Sequence, residues 1–246
     1  MIINLEEVAN SADFFGNKAR NLSILINKGV KIPKGIAVGV QHYLDYIYSG
    51  NFSENFKLKV NDFLEKIPGS YAIRSSANVE DSSKRSYAGQ FITKLGIPLS
   101  KVFDSIREVY LSANLPSTAY SEDQIKMGVI IQQMIKADFS GVLFSYDIID
   151  QNPNSAIIEL AKGRCEKVVS GKTNPSLYII NKISNEITLF EEGDQDIRLD
   201  LQQIKYILEN AKKIEDAFQS PQDIEFLFHK NEFYCLQSRN ITTIEK

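Results

Sequence analysis

Two runs near the end of the chain, 223–228 and 233–239, carry polar side chains at positions where they could meet. Both runs alternate between apolar and polar residues, and a short polar stretch separates them. This pattern predicts a β-hairpin. With a three-residue loop over 230–232, facing positions share one face of the sheet. The predicted facing pairs are Glu225 with Gln237 and Asp223 with Arg239.

Two carboxylates, an amide oxygen and a guanidinium on one patch of sheet can hold a cation against a polyphosphate. Mg²⁺ prefers hard oxygen ligands, and a guanidinium binds phosphate oxygens through two parallel hydrogen bonds. The hairpin therefore indicates a Mg·nucleotide site. Taken alone, it also fits an exposed hairpin face with cross-strand charge pairs.

Two other stretches offer candidate phosphate ligands. Lys18 follows Gly16-Asn17 at the start of a predicted helix, where free backbone N–H groups and the helix dipole favour an anion. Arg74 leaves a predicted strand into a loop rich in serine and glycine, which adds hydroxyl and backbone donors. The alternatives are a solvated first-turn lysine and a polar surface loop whose serines cap turns. Because the sequence contains neither a P-loop nor a G-x-G-x-x-G motif, we expect nucleotide binding by another route.

The composition is that of an ordinary globular protein. The chain has 246 residues and a net charge of −3 without long blocks of one sign, so nucleic acid and anionic membranes are not expected partners. The two cysteines, Cys165 and Cys235, are far apart and are expected to be buried small side chains. Two histidines argue against a catalytic triad or a histidine-rich zinc site. The first residues lack the pattern of a signal peptide, and we expect a cytoplasmic protein.

Helical and strand patterns follow one another without strict alternation. This order predicts an α+β fold rather than a doubly wound parallel sheet. Besides the hairpin, we predict helices at 18–27, 41–49, 53–66, 100–113 and 200–218, and strands at 36–40, 71–74, 90–95, 127–135, 140–146, 155–160, 175–182 and 186–191.

Six blocks of sequence occur in the order seen in one enzyme family. They lie within 16–22, 32–35, 74–89, 129–144, 159–171 and 223–239. In these blocks the chain resembles the nucleotide-binding domain of phosphoenolpyruvate synthase and pyruvate phosphate dikinase, a domain that rifampicin phosphotransferase shares. The resemblance covers nearly the whole chain. It implies an ATP-grasp fold, in which two α+β lobes clamp ATP, with ATP and Mg²⁺ as cofactors. The expected lobes are 1–122 and 123–246, the second carrying the metal-binding hairpin.

The resemblance also implies a role for each matching residue. Phosphate binding falls to Lys18 and Arg74, beneath a covering loop at Ala88 and Gly89. Gln132 is expected to line the adenine and hinge region. Glu225 and Gln237 are expected to hold Mg²⁺, and Arg239 is expected to steady the transferring phosphoryl group. Glu159 is a further nucleotide-binding candidate, with a structural hydrogen bond as its alternative.

The chain departs from the family pattern in three places. Asn17 stands where the family has a second glycine, which predicts a loop less permissive in backbone angle. Arg164-Cys165 replaces a Leu-Gly pair. The threonine- and glycine-rich histidine motif of the family's phosphohistidine domain does not occur in the sequence.

From these residues we expect an ATP- and Mg-dependent phosphotransferase module. Its acceptor is a histidine on a separate polypeptide or domain, or a small molecule. The alternatives are a non-catalytic ATP-binding sensor or partner-binding module, an ATP-grasp ligase, and a structural domain that has lost nucleotide binding. A pure binder has no need to orient two phosphates around Mg²⁺, so Glu225 and Gln237 favour catalysis.

Overall fold

The computed structural model describes residues 1–9, 11–78, 92–113, 126–163 and 174–242. The chain divides into two compact units. The first comprises residues 1–24 and 33–134, and the second comprises 25–32 and 135–246. Among the helices in the described ranges, none is long and apolar enough to cross a membrane.

The first unit contains a five-stranded antiparallel sheet with the strand order β1-β2-β5-β3-β4. Its strands are β1 (Ile2–Asn4), β2 (Gly35–Val38), β3 (Ser70–Ala77), β4 (Thr93–Pro98) and β5 (Met127–Gln133). β5 is the central strand, although the expected lobe boundary at residue 122 assigned it to the C-terminal lobe. β1 has no counterpart among the predicted strands, because three residues are too short to show a period.

Helices cover one face of this first sheet. The first unit includes α1 (Ala12–Phe15), most of α2 (Asn17–Asn27), α3 (Val40–Ser49), α4 (Glu54–Leu64) and α5 (Val102–Ser112). Side chains of α3, α4 and α5 join Tyr71 and Ile73 of β3 in one buried cluster. Because side chains alternate along a strand, Ala72, Arg74 and Ser76 lie on the opposite face of the sheet.

The second unit contains a six-stranded antiparallel sheet with the strand order β11-β10-β6-β7-β8-β9. Its strands are β6 (Phe139–Phe144), β7 (Ser155–Lys162), β8 (Ser176–Asn181), β9 (Ile187–Glu191), β10 (Gln222–His229) and β11 (Glu232–Asn240). All six were predicted from the sequence, with differences of at most two residues at their ends.

One long amphipathic helix, α6 (Leu201–Phe218), covers one face of the second sheet. Its apolar residues recur at helical spacing and pack on Ile224, Phe226 and Cys235 of the hairpin. The helix begins at a capping box, in which Asp200 and Gln203 bond reciprocally to each other's backbone N–H groups. Since α6 buries one face of the sheet, the odd-numbered residues of β10 are left on the other face.

Candidate functional site

The start of α2 is fixed against the end of β3. Gly16 has a φ of +82°, and a Cβ atom on it would lie 1.9 Å from the carbonyl oxygen of Ser76. The carbonyl of Gly16 accepts the hydrogen bond of Arg20, and the backbone N–H of Ala19 donates to the Ser76 hydroxyl at 3.0 Å. A glycine cannot cap a helix with its side chain, so Ser76 supplies the missing hydroxyl from another strand.

Gly16 therefore provides a matched test of this junction. Gly16→Ala should lower the free energy of unfolding through both backbone strain and the clash with Ser76. Gly29→Ala is the control, because Gly29 also has a left-handed φ of +76° but has nothing within 4 Å of its added Cβ. We expect the free energy of unfolding to fall by about 1 kcal/mol in Gly29→Ala and by at least about twice that in Gly16→Ala. Equal losses in urea unfolding would contradict the close contact.

Asn17 needs no special backbone conformation. It is the first residue of α2 and lies in the right-handed helical region, and its side-chain amide donates to the carbonyl of Asn78 at 3.1 Å. The absence of a second glycine therefore does not strain the turn in this chain. Within this turn, Gly16 carries the left-handed angle and Asn17 does not.

Lys18 and Arg74 are both buried. Each exposes only 8% of its surface, although one lies in the first turn of a helix and the other on a strand. Arg74 shares a sheet face with Ser76, which contacts the turn of α2 just after Lys18. Lys18 is thus not the solvated first-turn lysine of the alternative, and Arg74 is not part of a polar surface loop. Two cations buried near a helix start are suited to an anionic ligand.

Gln132 lies on the same sheet face as Arg74. It is 2% exposed and faces Ala72 of β3 on one side and Gly35 of β2 on the other. Its side-chain amide donates to the carbonyl of Pro33 at 3.3 Å. These two facing residues, Gly35 and Ala72, are small and leave room beside the Gln132 side chain. Its contact with adenine stays a prediction.

In the second unit, four side chains form one row across four strands. Glu159 of β7 faces Val142 of β6, Val142 faces Glu225 of β10, and Glu225 faces Gln237 of β11. Facing residues of antiparallel strands project from the same side of the sheet. The row lies on the face that α6 leaves uncovered. The predicted pair Glu225 and Gln237 is confirmed as a facing pair.

The hairpin reaches this pairing by a different route from the one predicted. The loop has two residues, Lys230 and Asn231, both with positive φ, rather than the three predicted. A two-residue loop alone would pair Glu225 with Leu236, one position before Gln237. A β-bulge at Leu236 restores the predicted register, so that Glu225 meets Gln237 after all.

The second predicted pair, Asp223 with Arg239, is an ion pair. The Nε and Nη2 atoms of Arg239 lie 2.7 and 2.6 Å from the same carboxylate oxygen of Asp223. Burial raises the pKa of Asp223, Arg239 opposes the rise, and the charge of Glu225 adds to it. Burial raises the pKa of Glu159 as well, with a further contribution from Asp223. This face therefore concentrates negative charge that one arginine partly offsets.

Glu159 gives this charge a measurable signature. Its raised pKa means that the folded state binds the proton more tightly than the unfolded state does. Its contribution to stability is therefore present below the ordinary carboxyl pKa of 4.5 and lost as pH rises through the folded pKa. In buffer without divalent ions, Glu159→Gln should raise Tm near neutral pH and leave it unchanged in acid. The exposed Glu191→Gln on β9 should show no such difference, and a lower neutral-pH Tm for Glu159→Gln would contradict the charge assignment.

Comparison with known proteins identifies the family. The model of the pyruvate phosphate dikinase AMP/ATP-binding domain matches residues 47–199 and 184–246, well over half of the chain. The chain belongs to this family. The resemblance stated from the sequence blocks is confirmed.

Two curated relatives resemble the chain over different lengths. The uncharacterized phosphotransferase YvkC of Bacillus subtilis is 28% identical over 288 residues, which cover 98% of this chain and 35% of that protein. A probable phosphoenolpyruvate synthase of Methanocaldococcus jannaschii is 31% identical over 206 residues, which cover 71% of this chain and 17% of that protein. The chain thus spans about a third or less of the length of these relatives.

A solved structure supports the fold. The D-alanine–D-alanine ligase of Bacillus anthracis matches with a TM-score of 0.51 and 11% identity, covering 93% of this chain and 58% of that one. At this identity the similarity shows the fold alone. The predicted α+β ATP-grasp fold is confirmed.

The residues of this dikinase-type domain fit a magnesium ion whose ligands come partly from the protein and partly from a nucleotide. Glu225 and Gln237 each offer an oxygen on the uncovered sheet face, and no group of three or more His, Cys, Asp or Glu side chains within the described ranges could hold an ion alone. Mg²⁺ is usually bound by one or two carboxylates together with substrate phosphates and waters. The donor set therefore suits Mg·ATP better than a metal held by protein alone.

Some expected residues cannot be placed. Ala88 and Gly89, the expected covering loop, lie outside the described residues, as does Arg164-Cys165. Conversely, sequence reasoning missed Ser76 as the cap of α2. Ser76 lies 57 residues from the N–H that it caps, so no local pattern signals it.

Proposed function

We propose that this chain is an ATP- and Mg²⁺-dependent phosphotransferase module. The observation that carries the proposal is the facing pair Glu225 and Gln237 on the uncovered face of the second sheet, beside the Asp223–Arg239 ion pair. Membership of an AMP/ATP-binding domain family supports the nucleotide. We also propose that this ATP-consuming chain acts in the cytoplasm.

Each residue has a separate part in the proposed reaction. Lys18 and Arg74 neutralise the charge of the phosphates, and Glu225 and Gln237 hold the metal. When bound, Mg²⁺ supplies electrostatic stabilisation of charge on the phosphate oxygens. Arg239, held by Asp223, steadies the phosphoryl group in transfer. Catalysis then consists of positioning and electrostatics, with no covalent step on this chain.

The proposed acceptor is a histidine on another polypeptide or domain, or a small molecule. In transfer to histidine, an imidazole nitrogen attacks phosphorus and a phosphoanhydride P–O bond breaks. The nucleotide leaves with the bonding electrons, and the imidazole N–H proton passes to solvent. One relative is named a phosphotransferase and another a phosphoenolpyruvate synthase, and both are much longer than this chain.

Free imidazole serves as the test acceptor, because it has the chemistry of a histidine side chain without a protein. The purified chain is incubated with ATP and imidazole, with Mg²⁺ or with EDTA, and products are followed by ³¹P NMR. We expect Mg²⁺-dependent loss of ATP that imidazole accelerates, with a phosphoimidazole signal. Loss of ATP that imidazole does not accelerate would mean transfer to water, and would favour an acceptor other than histidine. Tight ATP binding without any loss of ATP would contradict the enzyme proposal and favour a sensor.

A further inference from the structure

The bulge in β11 decides which side chains reach the uncovered face of the second sheet. Phe226 faces Cys235, whereas the next residue back along β10, Glu225, faces Gln237. Leu236 is therefore an extra residue between two successive pairs. On β11 the core-facing positions are 233, 235 and 238, with a step of three across the bulge.

If Leu236 paired regularly instead of forming a bulge, the same sequence would adopt a different register. The two-residue turn would set Leu236 opposite Glu225, and Gln237 and Arg239 would face the core under α6. A shift of one residue moves every following side chain to the other face. Gln237 would then lie opposite Ile224 and Arg239 opposite Gln222, both of which are fully buried. Burying an amide and a guanidinium there is unfavourable. The bulge is thus the arrangement that brings Gln237 and Arg239 to the carboxylates.

Specific contacts hold the bulge on both sides. On the uncovered face, Leu236 packs against Val142 and Ala161. Along the strand, the Cys235 thiol donates to the carbonyl of Gln237 at 3.4 Å, spanning the extra residue. On the core face, two further residues lock the strand just beyond it. The Ser238 hydroxyl donates to the side-chain oxygen of Gln222 at 2.7 Å, and both residues are nearly fully buried.

We propose that this bulge, from Cys235 to Ser238, is a positioning element that sets the Gln237 amide oxygen against Glu225 for metal binding. The inference rests on the proposed function and names the device that makes its metal pair. Bulges bend a strand and re-aim side chains, and they recur beside functional sites. Groups that orient metal ligands commonly change metal affinity by about 10- to 100-fold when they are removed.

Deletion of Leu236 removes the bulge but keeps Glu225 opposite Gln237 and Asp223 opposite Arg239 in a regular register. It therefore tests the bend of the strand and the aim of the Gln237 amide apart from the pairing. ATP binding is measured by calorimetry over a series of Mg²⁺ concentrations. We expect the deletion to raise the Mg²⁺ concentration for half-maximal binding by about tenfold or more, with little change in ATP affinity in EDTA. Leu236→Ala keeps the extra residue but loses most of its packing on Val142 and Ala161, so it should raise the Mg²⁺ requirement less than the deletion does. A folded deletion variant with the wild-type Mg²⁺ requirement would overturn the inference.

Ser238→Ala keeps the test decisive should the deletion not fold, because it removes one oxygen atom. Ser155→Ala is its matched control, another buried serine of the same sheet whose hydroxyl accepts a bond from Asn152. We expect a raised Mg²⁺ requirement for Ser238→Ala alone. Equal requirements in the two variants and wild type would overturn the inference. Failure of wild-type protein to bind Mg·ATP would instead refute the proposed function, so the two failures are distinct.

Discussion

Replacement of Glu225 by glutamine is expected to abolish Mg²⁺-dependent consumption of ATP while leaving ATP bound. Glutamine keeps the shape of the side chain but removes the charge that faces Gln237. The phosphate contacts assigned to Lys18 and Arg74 are untouched. We expect a loss of about 100-fold or more in turnover, the scale on which one electrostatic contact to a transition state acts.

The control for Glu225 is another glutamate of the same sheet. Glu191 lies exposed on the edge strand β9, at the far end of the same row and four strands away from Glu225. Glu191→Gln should therefore keep wild-type turnover. Rates of ATP loss at saturating Mg²⁺ compare the three proteins. Unchanged turnover in Glu225→Gln would remove this carboxylate from the metal site.

Loss of Arg74 should weaken ATP binding rather than turnover alone. Arg74 is 8% exposed and lies on the face of β3 that also carries Ser76. A charge-assisted hydrogen bond contributes about 2 to 3 kcal/mol, which corresponds to about a 30- to 150-fold higher Kd for ATP in Arg74→Ala. Calorimetric titration with ATP measures the change.

Arg20 provides the matched control for that variant. It lies on α2, one turn from the same junction, but is exposed. Arg20→Ala removes the same charge from the same part of the chain and should bind ATP nearly as wild type does. Should Arg74→Ala also retain wild-type affinity in a folded protein, Arg74 would not belong to the nucleotide site.

The hairpin shows how far local sequence patterns reach. Alternation along 223–228 and 233–239 predicted which polar side chains face each other, and both pairs are present. The turn length was wrong by one residue, and the bulge at Leu236 compensates for the error. In the structure, the core-facing positions of β11 step by three from Cys235 to Ser238. Patterns of period two do not anticipate such a step.

The first unit shows what local patterns cannot reach. Lys18 at the start of a helix reads as a solvated residue from its neighbours alone, and its burial follows from contacts between α2 and β3. Ser76 and Ala19 are brought together only by the tertiary fold. The position of β5 between β2 and β3 likewise depends on pairing with strands that are distant in sequence. The ordered sequence blocks did predict this fold, because resemblance to a family implies the tertiary arrangement that its members share.

The central claim is that this chain binds ATP together with Mg²⁺, and calorimetric titration with ATP tests it most directly. Wild-type protein and Glu225→Gln are titrated with and without Mg²⁺. We predict that Mg²⁺ strengthens ATP binding by wild-type protein, and that most of this gain is lost in Glu225→Gln. No binding of ATP by wild-type protein at any Mg²⁺ concentration would contradict the account and leave the fold as a scaffold without its nucleotide.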